Sequence, residues 1–209
     1  MIQLYHCEGA RSFRALWMLE ELGAEYRLHM LPFPPRFRAP DYLEINPLGT
    51  IPYMIVNGAA MSESSAIAQY LADTHWEAGL SVAPSDLAYA DYLNFLHMGE
   101  ATLTFPQTRY FRYTMLEPPE RRNPQVAEDY RRWFLKRLEA AMGMMRGRDH
   151  ACGGRFTAAD ISVGYAIKFA EALGLGDDLP PAATEYFRRL EARPAYRRAV
   201  AAERGNAVE

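Results

Sequence analysis

Residues 46–67 read NPLGTIPYMIVNGAAMSESSAI, and the fold is decided in this stretch. Asn46-Pro47-Leu48-Gly49 is a turn, Ile51-Pro52 leads into a strand over 53–56, Asn57-Gly58 is a two-residue hairpin signal, and 59–61 is the short return strand. A helix follows over 62–75, with Ile67, Tyr70 and Leu71 at the spacing of one helical face. Proline at the opening of a strand cannot donate to a ladder, so the backbone beside Pro52 is left for an extended ligand. At the helix start, Glu63 and Ser64 stand where unpaired amides and the positive helix end converge, which suits a carboxylate. Plain helix capping by Ser62 and Glu63 is the competing reading.

Upstream, residues 2–6 read as a short buried strand that breaks at Gly9. Ala15, Met18, Leu19 and Leu22 then fall at i, i+3, i+4 and i+7, predicting a helix over 12–22 that stops at Gly23. Residues 26–31 form a second strand, and strand, helix, strand implies a parallel pair joined by a right-handed crossover. Four prolines between 32 and 40 predict an irregular excursion, followed by a helical turn at 41–44. The order is βαβ, then ββα.

Downstream of a linker at about 77–85 every strong pattern is helical: 86–113, 124–146, 157–173, 182–192 and 195–203. The class changes there from mixed α/β to all-α, which predicts an α/β domain over 1–78 and an all-helical bundle over 86–209. At 49% hydrophobic and 23% charged residues the chain is ordinary globular material, and a net charge of -3 gives no footprint for nucleic acid or anionic lipid. Two cysteines, Cys7 and Cys152, lie in neither metal-ligand nor redox-pair spacing, and the histidines show no ligand spacing, so no metal is expected. No apolar run reaches the ~18 residues of a membrane span, and the N-terminus lacks a basic head before an apolar core; a cytoplasmic protein is expected.

The 46–67 stretch resembles the glutathione-binding segment of the glutathione transferase superfamily: turn, proline-led hairpin strand and Glu63-Ser64 helix start occur in that order. LYHCEGARSFRALWMLEELGAEY resembles the first strand, catalytic turn and first helix of the same superfamily, and FRAP at 37–40 with RSFRALW is similar to a fungal and bacterial subgroup. The approach to Arg155-Phe156-Thr157-Ala158-Ala159-Asp160 resembles the family's capping box, a folding element in which Thr157 and Asp160 bond reciprocally. The resemblance implies a thioredoxin-like first domain and glutathione as cosubstrate. Under it, Pro52 is cis, the Ile51 main chain pairs with the cysteinyl part of the tripeptide, Ser64 takes the γ-glutamyl carboxylate and Glu63 its ammonium. It also implies a homodimeric detoxification enzyme whose helical domain receives a hydrophobic electrophile.

Adding a thiolate to an electrophilic carbon requires the thiol, with an ordinary pKa of ~8.5, to ionise near neutrality; two units correspond to ~2.7 kcal/mol. One charge-assisted hydrogen bond supplies roughly 1.5–3 kcal/mol and a helix N-terminus a little more. The turn at 7–12 is therefore where the activating group is expected. Many relatives place serine or cysteine just before the position of Arg11, whereas this chain has Gly9-Ala10. The candidates are Ser12, as hydroxyl donor or mere N-cap; Arg11, as cation or surface charge; and Cys7, through a mixed disulfide or as inert core. Tyr5 is a further hydroxyl whose side of the strand stays open. The helix over 86–113, with Tyr92, Phe95, Phe105, Tyr110, Phe111 and Tyr113, offers an apolar wall for the electrophile, although most of it is expected to be packing core. Two alternatives stand beside the transferase: a glutathione-dependent peroxidase or disulfide reductase resting on Cys7, and a non-catalytic glutathione-binding protein resting on the missing donor.

Overall fold

The computed structural model describes residues 1–205. The described chain divides into two compact units, one of residues 1–81 with 191–205, and the other Val82–Leu190.

The first unit is built on a four-stranded sheet ordered β2-β1-β3-β4, from β1 (Ile2–His6), β2 (Tyr26–Met30), β3 (Tyr53–Val56) and β4 (Ala59–Met61). β1 runs parallel to β2 across the helix α1 (Phe13–Leu22) and antiparallel to β3, in the registers Leu4↔Leu28 and Leu4↔Met54. Leu4 and Met54 are fully buried. Tyr5, pointing the other way, stacks on His29 at 4.5 Å between ring centroids and tilts against Tyr42 and Tyr53. The proline-rich excursion holds two short helices, α2 (Pro35–Arg38) and α3 (Tyr42–Ile45). Asn57 and Gly58 both take positive φ, 51° and 81°, as the two-residue hairpin between β3 and β4 requires. Helix α4 (Ser64–Thr74) then packs on α1.

The second unit follows its helical patterns, with one difference. The predicted single helix over 86–113 is a rod of α5 (Tyr89–Met98), a π-helical stretch Gly99–Thr104, α6 (Phe105–Phe111) and a second π-helical stretch Arg112–Leu116. Pro106 accounts for the first: it has no N–H for the preceding turn, so the ladder widens there. The Thr104 hydroxyl donates to the Gly99 carbonyl at 2.7 Å, and the Gln107 amide donates to the Leu103 carbonyl at 3.0 Å and to the Ala166 carbonyl at 2.9 Å. Helix α7 (Pro124–Met144) is capped by Asn123, whose side chain accepts from the Val126 amide. Helix α8 (Ala158–Ala172), buried along most of its length, packs against α5, and α9 (Pro181–Glu191) follows it. No helix among the described residues is long and apolar enough to cross a membrane.

The last helix, α10 (Pro194–Glu203), clusters with the first unit and not with the helical bundle over 86–209 that the change of pattern suggests. Tyr196 meets Phe13 and Trp17 edge-on at 5.6 and 4.9 Å between centroids. The Arg193 guanidinium forks onto the Glu21 carboxylate at 2.6 and 2.8 Å, and Arg198 reaches the Glu20 carboxylate at 2.8 Å. The cause is α1 itself, on which every residue from Phe13 to Leu19 is buried, so a sheet on one side is not cover enough.

Candidate functional site

The candidate residues lie on three elements of the first unit: the turn at 46–52, the start of α4, and the turn at 7–12. The first is fastened by side chains. The Asn46 side-chain oxygen accepts from the Leu48 amide at 3.2 Å, while the Thr50 carbonyl accepts from both the Asn46 amide group at 2.8 Å and the Tyr42 hydroxyl at 2.7 Å. Burial pushes the Tyr42 phenol up to about 12, so it remains a donor. Gly49, at φ +59°, lies so close to α2 and α3 that a Cβ there would stand 2.7 Å from Arg36 Cβ and 2.9 Å from Leu43 Cδ2. The Ile51-Pro52 bond is cis. Pairing of β3 with β1 begins at Tyr53, so Ile51 sits just outside the ladder.

At the start of α4, Glu63 takes the N-cap position with extended backbone, φ -88° and ψ 115°, and is exposed. Ser64 is 3% exposed, and its hydroxyl accepts a hydrogen bond from the guanidinium of Arg14 at 3.2 Å. Arg14 lies on α1 and is fully buried. A fixed positive charge therefore stands behind the helix end that the sequence marks as an anion site, adding to the helix dipole.

The turn at 7–12 differs from expectation. Ser12 is fully buried, its hydroxyl accepting from the Cys7 amide at 3.4 Å and lying 3.5 Å from the Cys7 carbonyl. It closes the turn internally, so the expectation that Ser12 meets a ligand sulfur does not fit its position. Cys7 is also fully buried, and burial pushes its thiol up to about 12, which removes the acidified thiol that a mixed disulfide needs. A thiol alkylating reagent at pH 8 is expected to leave Cys7 unmodified in the native protein and to label it on unfolding. Modification within minutes under native conditions, read by mass spectrometry, would contradict this burial. Arg11 is half-buried at the entrance to α1. The Ala10 amide donates to the Cys7 carbonyl at 3.2 Å and the Gly9 amide to the Glu203 carboxylate at 3.0 Å.

Arg14, His6 and Glu203 escaped the sequence reading. The signal for Arg14 was present: a cation inside an otherwise apolar helical run is either paired or out of place. In the second unit, Tyr92 and Phe95 of the expected apolar wall are core, while Tyr110, Phe111 and Tyr113 are half-buried. Phe105 turns toward Tyr130 and Trp133 of α7. Thr157 and Asp160 form the reciprocal capping box.

Comparison with known proteins agrees with this geometry. Residues 10–74 match the family model described as the glutathione S-transferase N-terminal domain. Glutathione S-transferase GstA of Escherichia coli is 26% identical over 212 residues, covering 97% of this chain and 98% of that protein. Glutathione S-transferase 3 of Schizosaccharomyces pombe is 34% identical over 106 residues, a match that covers 49% of this chain and 43% of the yeast protein. A sphingomonad glutathione S-transferase, solved in complex with glutathione, superimposes with a TM-score of 0.83 at 25% identity, covering 96% of this chain and 98% of its own. A thioredoxin-like α/β unit with its proline-led hairpin, a helical second unit and these matches make the chain similar to glutathione S-transferases along nearly its whole length, with residues 10–74 matching their N-terminal domain.

Proposed function

We propose that the protein is a glutathione transferase that joins the glutathione sulfur to a hydrophobic electrophile, as a cytoplasmic homodimer with a detoxifying role. The observation that carries the reading is the buried Arg14–Ser64 pair at the N-terminus of α4, taken together with the Asn46-fastened turn that leads into the cis Ile51-Pro52 bond. One extended tripeptide fits this combination: its γ-glutamyl carboxylate at Ser64 and the first amides of α4, its ammonium at Glu63, and its cysteinyl backbone along Ile51.

In the reaction the thiol loses its proton to solvent, the thiolate attacks the electrophilic carbon to form a sulfur–carbon bond, and the leaving group departs with its bonding electrons. With Ser12 and Cys7 turned inward, stabilisation of the thiolate falls to Arg11 and the amide end of α1. The half-buried Tyr110, Phe111 and Tyr113 supply apolar surface for the electrophile.

Two measurements test this reading. Ser64→Ala is expected to weaken glutathione binding by roughly 1–3 kcal/mol, about 5- to 150-fold in Kd by calorimetry. Unchanged affinity would remove Ser64 from the ligand. The absorbance of bound glutathione thiolate, followed against pH, is expected to report a pKa below that of the free tripeptide. Binding without ionisation would make the protein a glutathione carrier and not a transferase.

A further inference from the structure

Glu203 ends α10 and is 3% exposed. A carboxylate there carries two costs: it is buried, and it stands at the negative end of a helix, where the dipole disfavours an anion. Such a group persists when donors hold it. One oxygen accepts from the Gly9 amide at 3.0 Å and lies 3.6 Å from Nε2 of the fully buried His6, at the end of β1. The carboxylate is itself held in place, because α10 is tied to α1 through Arg193, Tyr196 and Arg198.

The turn at 7–12 is thereby pinned at three points. The Ser12 hydroxyl takes the Cys7 amide, the Cys7 carbonyl takes the Ala10 amide, and Glu203 takes the Gly9 amide from outside the turn. The first two are contacts within the turn, which fix its shape. The third fixes where that shape lies, and with it the peptide plane before Gly9, whose φ of +68° sets the direction in which Ala10 and Arg11 leave.

We infer that Glu203 is a positioning residue for thiol activation: by holding the Gly9 amide it aims Arg11 and the amide end of α1, without touching the ligand. The inference rests on the transferase reading above and adds to it a control exerted by a helix 194 residues away in sequence. Glutathione affinity resides chiefly in Ile51, Glu63 and Ser64 under that reading, so Glu203 acts on turnover and not on binding.

The test compares Glu203→Ala with Glu203→Gln, using a chlorodinitrobenzene as the electrophile. In Glu203→Ala, kcat at saturating glutathione is expected to fall about tenfold to a hundredfold, the equivalent of one charge-assisted hydrogen bond, with Kd for glutathione within about threefold of the wild type. The pKa of the bound thiol is expected to rise by about one unit, the same tenfold on the ionisation scale. Removing a negative charge would by itself lower that pKa, so a rise reports lost geometry and not lost charge. Glu203→Gln keeps an acceptor oxygen for Gly9 and is expected to restore most of kcat. Wild-type kcat and thiol pKa in Glu203→Ala overturn the inference. Should that variant not fold, the Gly9 amide proton decides: its resonance is expected to move upfield in Glu203→Gln as a carboxylate acceptor gives way to a neutral one, and an unmoved resonance overturns the inference. If wild-type protein neither binds nor ionises glutathione, the transferase reading fails instead, and the Gly9 resonance still reports the contact.

Discussion

Asp160→Ala is expected to destabilise the helical unit by about 3–5 kcal/mol, the scale of orphaning several buried polar groups at once. The carboxylate is fully buried on the first turn of α8. One oxygen accepts from the Thr157 amide at 2.9 Å; the other accepts from the Ala151 amide and from the Tyr186 hydroxyl, each at 2.8 Å. A capping box read from sequence alone is worth ~1 kcal/mol. The larger figure follows because this residue also anchors the 151 loop and α9, so three donors in separate parts of the chain lose one acceptor. Burial, then the Asp160 charge and hydrogen bond, push the Tyr186 phenol well above its usual range, so it stays a donor throughout the neutral and moderately alkaline range. The denaturation midpoint of the variant measures the cost. A loss below about 1 kcal/mol would mean that water or a neighbouring group replaces the carboxylate.

Gly99→Ala is expected to cost about 3 kcal/mol or more, at or above the upper end of ordinary overpacking, because the obstacle is backbone. A Cβ at this position would stand 2.5 Å from both the carbonyl carbon and the carbonyl oxygen of Ser162, and nearer still to its Oγ. Gly99 is where the rod crosses α8, and the Ser162 hydroxyl donates to the Leu96 carbonyl at 2.6 Å across the same crossing. Admitting a methyl group forces the helices apart and breaks that bond. Adding Ser162→Ala clears only the hydroxyl, so the double variant is expected to recover little stability. Thermal unfolding of the single and double variants reads both effects, and full recovery in the double variant would mean that the side chain was the only obstacle.

What the sequence disclosed and what it withheld divide by range. The Asn57-Gly58 hairpin, the turn at Asn46 and the Thr157–Asp160 box were legible because each is settled by residues within a few positions of one another. The π-helical widening had its cause in plain view at Pro106, but neighbouring periodicity carried the helix through it. Ser12 was read correctly as standing at the helix start; nothing local showed that its hydroxyl turns back onto Cys7. Arg14 facing Ser64, Glu203 facing Gly9 and α10 lying on α1 join residues 50 to 194 positions apart. Amphipathic spacing shows that a helix has a face to bury and is silent on which partner buries it. That is why candidate positions for glutathione contact were easier to nominate than a candidate source of thiol activation.

Because α10 returns to the first unit, the sheet-containing half of the molecule is discontinuous in the chain, with the whole of Val82–Leu190 inserted in it. Synthesis runs in one direction at roughly 5–20 residues per second, so the nascent chain waits roughly 5–20 s between the emergence of Ser81 and that of Glu191. Throughout that interval Phe13 and Trp17 lack Tyr196, Glu20 and Glu21 lack their arginines, and the Gly9 amide lacks Glu203. The helical half is contiguous and complete before α10 exists. The half that is begun first is therefore closed last, and a ribosome stalled between the two segments would display the aromatic face of α1 to chaperones and proteases.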